Sequence, residues 1–403
     1  MSSYSLNSKK RMHLSYEGLN ESSCHLLPVH LKKYHAKKHS DWMSLAIVLA
    51  SYAQGQTGSN PCVGAVLVKN SRLIGIGTHL KQGEAHAEIH AINMAGSNVH
   101  GSTLYVTLEP CSHQGLTGPC ADAVINAGIK QVFIATQDAN PKVSGRGIER
   151  LKKAGIEVHI GLCQQEANEL LHAFFLTQKN QRSYLILKSA SSLDGKLALI
   201  TQESKWVTGI EAREDVHQLR ASVDGILTAI GTVSADNPML NARLDIETRQ
   251  PARIVIDRQG HISEDSQLVQ TAKTQRTILF GHYTESKAQS LQAFGCEVVE
   301  FIDLPTLLKW TLQAGLMTIM VEAGPKLITA LLDAELIDEW VAYQSPRVFG
   351  GDQSIYLNTK TLPINKIDSF QLIKCDILGN DLRIIMRKMD KESNPHKSLK
   401  EQV

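Results

Sequence analysis

The sequence predicts an α/β protein in two layered halves. Short apolar strands alternate with helices along most of the chain. The 403 residues exceed the roughly 100–200 usual for one domain. A polar stretch at 178–182 interrupts the alternation near its middle.

Residues 1–38 run from Ser-rich to basic and His-rich and read as a flexible, solvated leader, because such composition buries no core. A metal- or RNA-binding arm is the alternative reading. A helix is expected over 42–54 with Asp41 as N-cap, then a strand at 62–67 and a turn at Asn70-Ser71 into a partner strand at 72–78. A helix at 86–95 and a strand at 102–108 follow. The helix at 119–127 has proline at its first turn and Gly128 just past its end. Strands at 131–136 and 157–160 flank a helix at 147–154, and one longer helix over 164–178 reaches the boundary.

The second half repeats the alternation. Strands are expected at 184–189, 225–230, 253–257, 277–280, 297–301 and 317–321, with helices at 211–221 and 325–332. Antiparallel-looking strands at 340–344, 371–375 and 383–386 close it. This predicts a mixed, mainly parallel sheet with helices on both faces. The division is 39–178 and 183–390, with a polar tail at 391–403.

A net charge of +2 gives no case for a nucleic-acid partner. No apolar run approaches the roughly 20 residues of a membrane helix, and the basic N-terminal residues precede no apolar signal core. Seven scattered cysteines do not form a disulfide framework and point to a reducing, cytoplasmic setting with thiols free for metal.

His86-Ala87-Glu88 sits at a strand-to-helix transition, Cys111 follows a strand, and Cys120 opens a helix. One imidazole and two thiolates make a three-ligand zinc site with a fourth position open, the catalytic pattern. Helix N-termini favour thiolates, which suits Cys111 and Cys120. Such an ion acidifies water, and Glu88 is placed to shuttle its proton to a ring nitrogen and a departing ammonia. Zinc deaminases use this logic, there with His-x-Glu and Pro-Cys-x-x-Cys; here eight residues separate the cysteines. The plainer reading is two core cysteines and a surface histidine.

The chain is similar here to the bifunctional riboflavin-biosynthesis deaminase/reductase of bacteria. The resemblance covers residues 40–390. It rests on Asn60-Pro61-Cys62-Val63-Gly64, His86-Ala87-Glu88, the run Leu108-Glu109-Pro110-Cys111-Ser112-His113, and Gln137-Asp138-Ala139-Asn140-Pro141. It implies a cytidine-deaminase-like three-layer domain followed by a dihydrofolate-reductase-like α/β domain. It also implies one Zn2+ per chain on His86, Cys111 and Cys120, with Glu88 catalytic. Asn60, His113, Asp138 and Asn140 are implied to contact a pyrimidine ribotide. Ser59, Gly118 and Ala139 stand where the family usually has proline, and Cys62 adds a thiol near the site.

In the second half, Gly231-Thr232 and Gly324-Pro325 each follow a strand, where a helix N-terminus can receive a phosphate. No G-x-G-x-x-G follows that half's first strand, so a standard Rossmann site is not indicated. The resemblance assigns NADPH to this half, with Ala190, Trp206, Thr232, Asp236 and the segment Gly324, Pro325, Lys326, Leu327 binding it. It assigns Ser204, Arg220, Leu240, Arg243 and Glu322 to substrate; Lys188 is the candidate proton donor. Arg258, at the end of a strand, is expected to meet the 2′-phosphate that distinguishes NADPH. Asn237 stands where the family usually has a second Asp. Family members tend to associate through the reductase half, which implies a homo-oligomer, dimer or tetramer.

Two other readings stay open. One is a zinc deaminase of another nucleoside or a tRNA base, with a non-catalytic second half. The other is a zinc-stabilised nucleic-acid-binding protein using the leader as its arm.

Overall fold

The computed structural model describes residues 38–112, 118–138, 144–199, 207–350, 354–355 and 370–389. The expected leader and tail lie outside these, apart from Lys38.

Chain order in the first half is α1 (His39–Ser51), β1 (Gly64–Lys69), β2 (Arg72–Thr78), α2 (Ala87–Ala95), β3 (Thr103–Leu108), α3 (Cys120–Asn126), β4 (Gln131–Thr136), α4 (Arg146–Lys153), β5 (Glu157–Ile160), α5 (Gln164–Leu170) and α6 (His172–Asn180). The sheet order is β2-β1-β3-β4-β5. Pairs β1/β2 and β1/β3 are antiparallel; β3/β4 and β4/β5 are parallel. Side chains alternate across the sheet. Ala65, Leu67, Leu104 and Ile134 face α2, α3 and α4, whereas Val66, Val68, Tyr105 and Phe133 face α1 and α5. That is a three-layer domain.

The second half runs β6 (Tyr184–Ser191), β7 (Ala198–Leu199), α7 (Ile210–Ser222), β8 (Gly225–Ala229), α8 (Ile230–Asp236), β9 (Ala252–Asp257), α9 (Gln267–Gln270), β10 (Thr277–Gly281), α10 (Glu285–Ala293), β11 (Glu297–Glu300), α11 (Leu304–Gln313), β12 (Thr318–Val321), α12 (Pro325–Asp333), β13 (Glu339–Gln344), β14 (Ser354–Ile355), β15 (Phe370–Leu378) and β16 (Asp381–Lys388). Its nine-stranded sheet has the order β11-β10-β9-β8-β12-β6-β13-β16-β15. Every neighbouring pair from β11 to β13 is parallel; β16 is antiparallel to both β13 and β15. One face packs on α11 and α12, the other on α7, α9 and α10. The expected mixed, mainly parallel sheet with helices on both faces is what forms.

Three expectations need correction. The first helix is capped at Lys38, not Asp41, which lies at the third helical position and accepts the Lys38 N–H at 3.1 Å. The single helix over 164–178 is two, because the buried Leu171 leaves helical geometry between α5 and α6. The break re-aims α6, so that Leu171 and Phe174 join the first core while Ala173 and Leu176 pack against the second. The strand expected at 225–230 ends at Ala229, and Ile230 starts α8. Gly231 and Thr232 therefore lie in a helical turn, not in a loop after the strand.

The halves also meet through charge. Arg387 on β16 reaches both carboxylate oxygens of Glu169 on α5 at 2.7 Å and Glu339 at 2.8 Å. No helix among the described residues is long and apolar enough to cross a membrane.

Candidate active site

Two glycines bring the first site's elements together. A Cβ on Gly77 would lie 2.0 Å from the Ala87 carbonyl oxygen, so only glycine lets the start of α2 settle on β2. A Cβ on Gly147 would lie 2.1 Å from the Pro110 carbonyl oxygen, and α4 packs on the end of β3 the same way. His86 then caps α2, Cys120 begins α3 and Cys111 follows β3.

The three side chains converge as the spacing predicts. His86 Nδ1 lies 3.2 Å from Cys120 Sγ and 3.6 Å from Cys111 Sγ, and all three atoms fall within 4.8 Å of one another. A tetrahedral zinc with usual bond lengths holds such atoms roughly 3.5–3.8 Å apart, so the donor set and its spacing fit the ion. The Cys120 backbone N–H donates to Cys111 Sγ at 3.3 Å. The hydrogen bond from the Cys120 thiol, aided by His86, pulls Cys111 down to about 4. The same pairing, with burial, pushes Cys120 upward. Glu88 is 3% exposed, and burial pushes its carboxyl up to about 7.

Asn60 closes another side through a residue the sequence reading missed. His79 is buried, and its Nδ1 lies 3.2 Å from the Ala85 carbonyl oxygen. A carbonyl only accepts, so Nδ1 carries the proton and Nε2 accepts from Asn60 Nδ2 at 3.1 Å. Burial holds His79 below its ordinary value, which keeps this tautomer neutral. The ring meets His86 edge-on at 5.1 Å.

Glu109, within the 108–113 run, has a role that spacing along the chain does not reveal. Its buried carboxylate accepts backbone N–H groups of Asp138 (3.4 Å), Gly145 (2.9 Å), Gly147 (2.9 Å) and Ile148 (3.3 Å). It thereby fixes the segment carrying Asp138 beside Pro110-Cys111. His113 and Asn140 lie outside the described residues, as do Ser204 and Trp206.

The second site gathers at the C-terminal ends of β6, β8 and β12, where open parallel sheets bind ligands. Arg220 on α7 grips Glu322 with both Nε (2.6 Å) and Nη2 (2.9 Å), and Lys188 Nζ lies 3.9 Å from the same carboxylate. Burial alone would raise Glu322, but Lys188 and Arg220 hold it below its ordinary value. Leu240 is buried with φ +47°, and Arg243 stands three residues further along the same segment. Sequence reasoning missed two members of this cluster, His217 and Asn241, both bonded to Arg243.

Gly324 caps α12, and a Cβ there would meet nothing nearer than Thr232 Oγ1 at 4.0 Å. A Cβ on Gly231 would meet nothing within 4 Å. Among the described residues nothing crowds either glycine, so the starts of α8 and α12 offer a cradle that fits a dinucleotide phosphate. Ala190 lies near the end of β6 and Asp236 closes α8. Lys326 is exposed, but the Leu327 side chain is in the core, which leaves only its backbone for a ligand. Asn237 adopts φ +39°, which asparagine tolerates, and its Oδ1 accepts the Gln267 N–H at 2.8 Å. Arg258, beyond β9, lays its guanidinium 4.9 Å from the Phe301 ring centre in a pocket of about 440 Å3 shared with His282 and Asp303.

Comparison with known proteins gives this geometry a family. Residues 36–136 match the cytidine and deoxycytidylate deaminase zinc-binding region, and residues 183–382 match the RibD C-terminal domain. The riboflavin biosynthesis protein RibD of Aquifex aeolicus is 39% identical over 355 residues, 86% of this chain and 98% of that protein. The Escherichia coli protein of that name is 41% identical over 339 residues, 77% of this chain and 88% of its own length. The solved structure of Acinetobacter baumannii RibD superposes with a TM-score of 0.80 at 38% identity, covering 87% of this chain and 99% of that one. A Thermotoga maritima structure described as a diaminohydroxyphosphoribosylaminopyrimidine deaminase/5-amino-6-(5-phosphoribosylamino)uracil reductase gives 0.78 at 33% identity, covering 87% and 98%. The chain belongs to the RibD family of bifunctional riboflavin-biosynthesis deaminase/reductases.

Proposed function

We propose that the enzyme acts on 2,5-diamino-6-(5-phosphoribosylamino)pyrimidin-4(3H)-one. It removes one ring amino group by hydrolysis, then reduces the ribosyl group of the resulting 5-amino-6-(5-phosphoribosylamino)uracil to ribityl with NADPH. The first step belongs to residues 39–178 and the second to 183–390. The observation that carries this reading is the buried Glu88 beside three converging ligands, His86, Cys111 and Cys120.

Zinc held by these three residues supplies Lewis acidity toward water. Glu88 takes one proton of the attacking water and gives it to the ring nitrogen, where it stays; it then moves the remaining hydroxyl proton to the departing ammonia, leaving the ring carbonyl. Asn60, oriented by His79, and Asp138, placed through Glu109, bind the substrate together with His113 and Asn140.

NADPH supplies the hydride for C1 of the ribosyl group. Thr232, Asp236, Ala190, Trp206 and the backbone from Gly324 to Leu327 hold the cofactor. Ser204, Leu240, Arg220, Arg243 and Glu322 hold the ribotide. As the ring opens, its oxygen takes a proton, and Lys188 is the donor we assign.

A coupled assay tests both steps. Purified enzyme given the diamino ribotide and NADPH releases ammonia and oxidises NADPH; a zinc chelator stops both, and deaminated ribotide restores NADPH oxidation. Ammonia without NADPH oxidation would leave the second half without its assigned activity. In the same assay Arg258→Ala raises the KM for NADPH far more than that for NADH; equal effects would remove Arg258 from the 2′-phosphate.

Association through the reductase half is also part of this reading. Strand β15 lies at the sheet edge with Leu372 and Ile377 exposed, and a sheet edge is where a second chain can pair. Sedimentation of the intact chain as a monomer would exclude it. Two thiolate ligands require reduced cysteines, which supports a cytoplasmic site of action that cell fractionation can check.

A further inference from the structure

A phosphorylated substrate needs a cation whose charge is not already neutralised. In the reductase cluster Arg220 does not qualify, because Glu322 takes it with both oxygens. Arg243 does. The hydrogen-bond partners of its guanidinium among the described residues are both neutral: Asn241 Oδ1 at 2.8 Å from Nη1, and His217 Nε2 at 2.9 Å from Nη2.

A guanidinium has only donors, so the 2.9 Å contact requires the Nε2 lone pair. His217 is then neutral, with its proton on Nδ1. The Asn241 backbone joins the same cluster, its carbonyl oxygen accepting Arg220 Nη1 at 3.0 Å. The Arg243 backbone N–H, 3.3 Å from Nδ1, is the longer contact and yields to this tautomer. Burial, then the positive charges of Arg220 and Arg243, hold His217 below its ordinary value. His217 and Arg220 are one turn apart on α7, so a single helix face presents both a neutral acceptor and an ion pair to the 240–243 segment.

We infer that His217 is a positioning residue: with Asn241 it holds the Arg243 fork in one orientation, its charge free for the phosphate of the ribotide. This rests on the reading of Arg243 as a substrate-binding residue. An unclamped arginine must lose side-chain freedom when it binds, whereas a clamped one is pre-organised.

The test is steady-state kinetics of NADPH oxidation with deaminated ribotide. His217→Ala raises the KM for ribotide on the order of tenfold, as loss of one hydrogen bond to a charged group implies. Its kcat and its KM for NADPH stay within about twofold, well inside the 1.4 kcal/mol that a tenfold change represents. His217→Gln, whose amide oxygen restores an acceptor, recovers most of the affinity. Arg243→Ala serves as the control. If Arg243→Ala raises that KM and His217→Ala does not, the positioning role is wrong and the substrate reading stands. If Arg243→Ala leaves it unchanged, both fail. If His217→Ala lowers kcat as well and glutamine rescues nothing, His217 is a packing residue and the inference is overturned.

Discussion

Glu88→Gln lowers ammonia release by roughly 10²–10⁴, the range of general acid–base catalysis. Bound zinc and NADPH oxidation with deaminated ribotide stay at wild-type levels. Glutamine fills the same buried space at the start of α2 but cannot carry a proton between water, ring and leaving group. His86, Cys111 and Cys120 are untouched by the change. Metal analysis alongside the ammonia assay reads both parts. A variant within tenfold of wild type with its metal in place would remove Glu88 from proton transfer.

Glu109→Ala carries the largest expected loss of stability. It leaves the N–H groups of Asp138, Gly145, Gly147 and Ile148 without their carboxylate, in a place where water cannot fully replace it. Buried donors stranded in this way cost about 1–3 kcal/mol each before relaxation, so a net loss of about 3 kcal/mol is expected. Urea unfolding reads it as a lower midpoint. Deamination falls as well, because Asp138 and the start of α4 lose their anchor. A loss below about 1 kcal/mol would mean that the segment holds itself in place by other contacts.

Much of this was legible in the sequence, for identifiable reasons. Strands β2, β4 and β5 have the expected bounds because short apolar runs end at turn residues. The zinc-type triad was legible because each ligand sits at a strand or helix end, where spacing along the chain becomes convergence in space. His79, Glu109 and His217 were not, because each acts through a partner distant in sequence. His79 meets Asn60 across 19 residues, Glu109 reaches over 29 to 39, and His217 meets Arg243 across 26. Periodicity carries no such information. The break at Leu171 was hidden for a related reason: the 164–178 pattern is helical throughout, and only the demand of two separate cores bends it.

That bend has a consequence for how the two catalysts are supplied. Residues of α6 and its cap enter both cores, and Arg387 spans from one half to the other. A cut at 178–182 would strip apolar cover from each piece, so the halves are stabilised as one chain. The two activities are therefore dispensed in equal numbers by every translated copy, and no change in expression can unbalance their ratio. Throughput of one step relative to the other can be tuned only through rate constants, residue by residue.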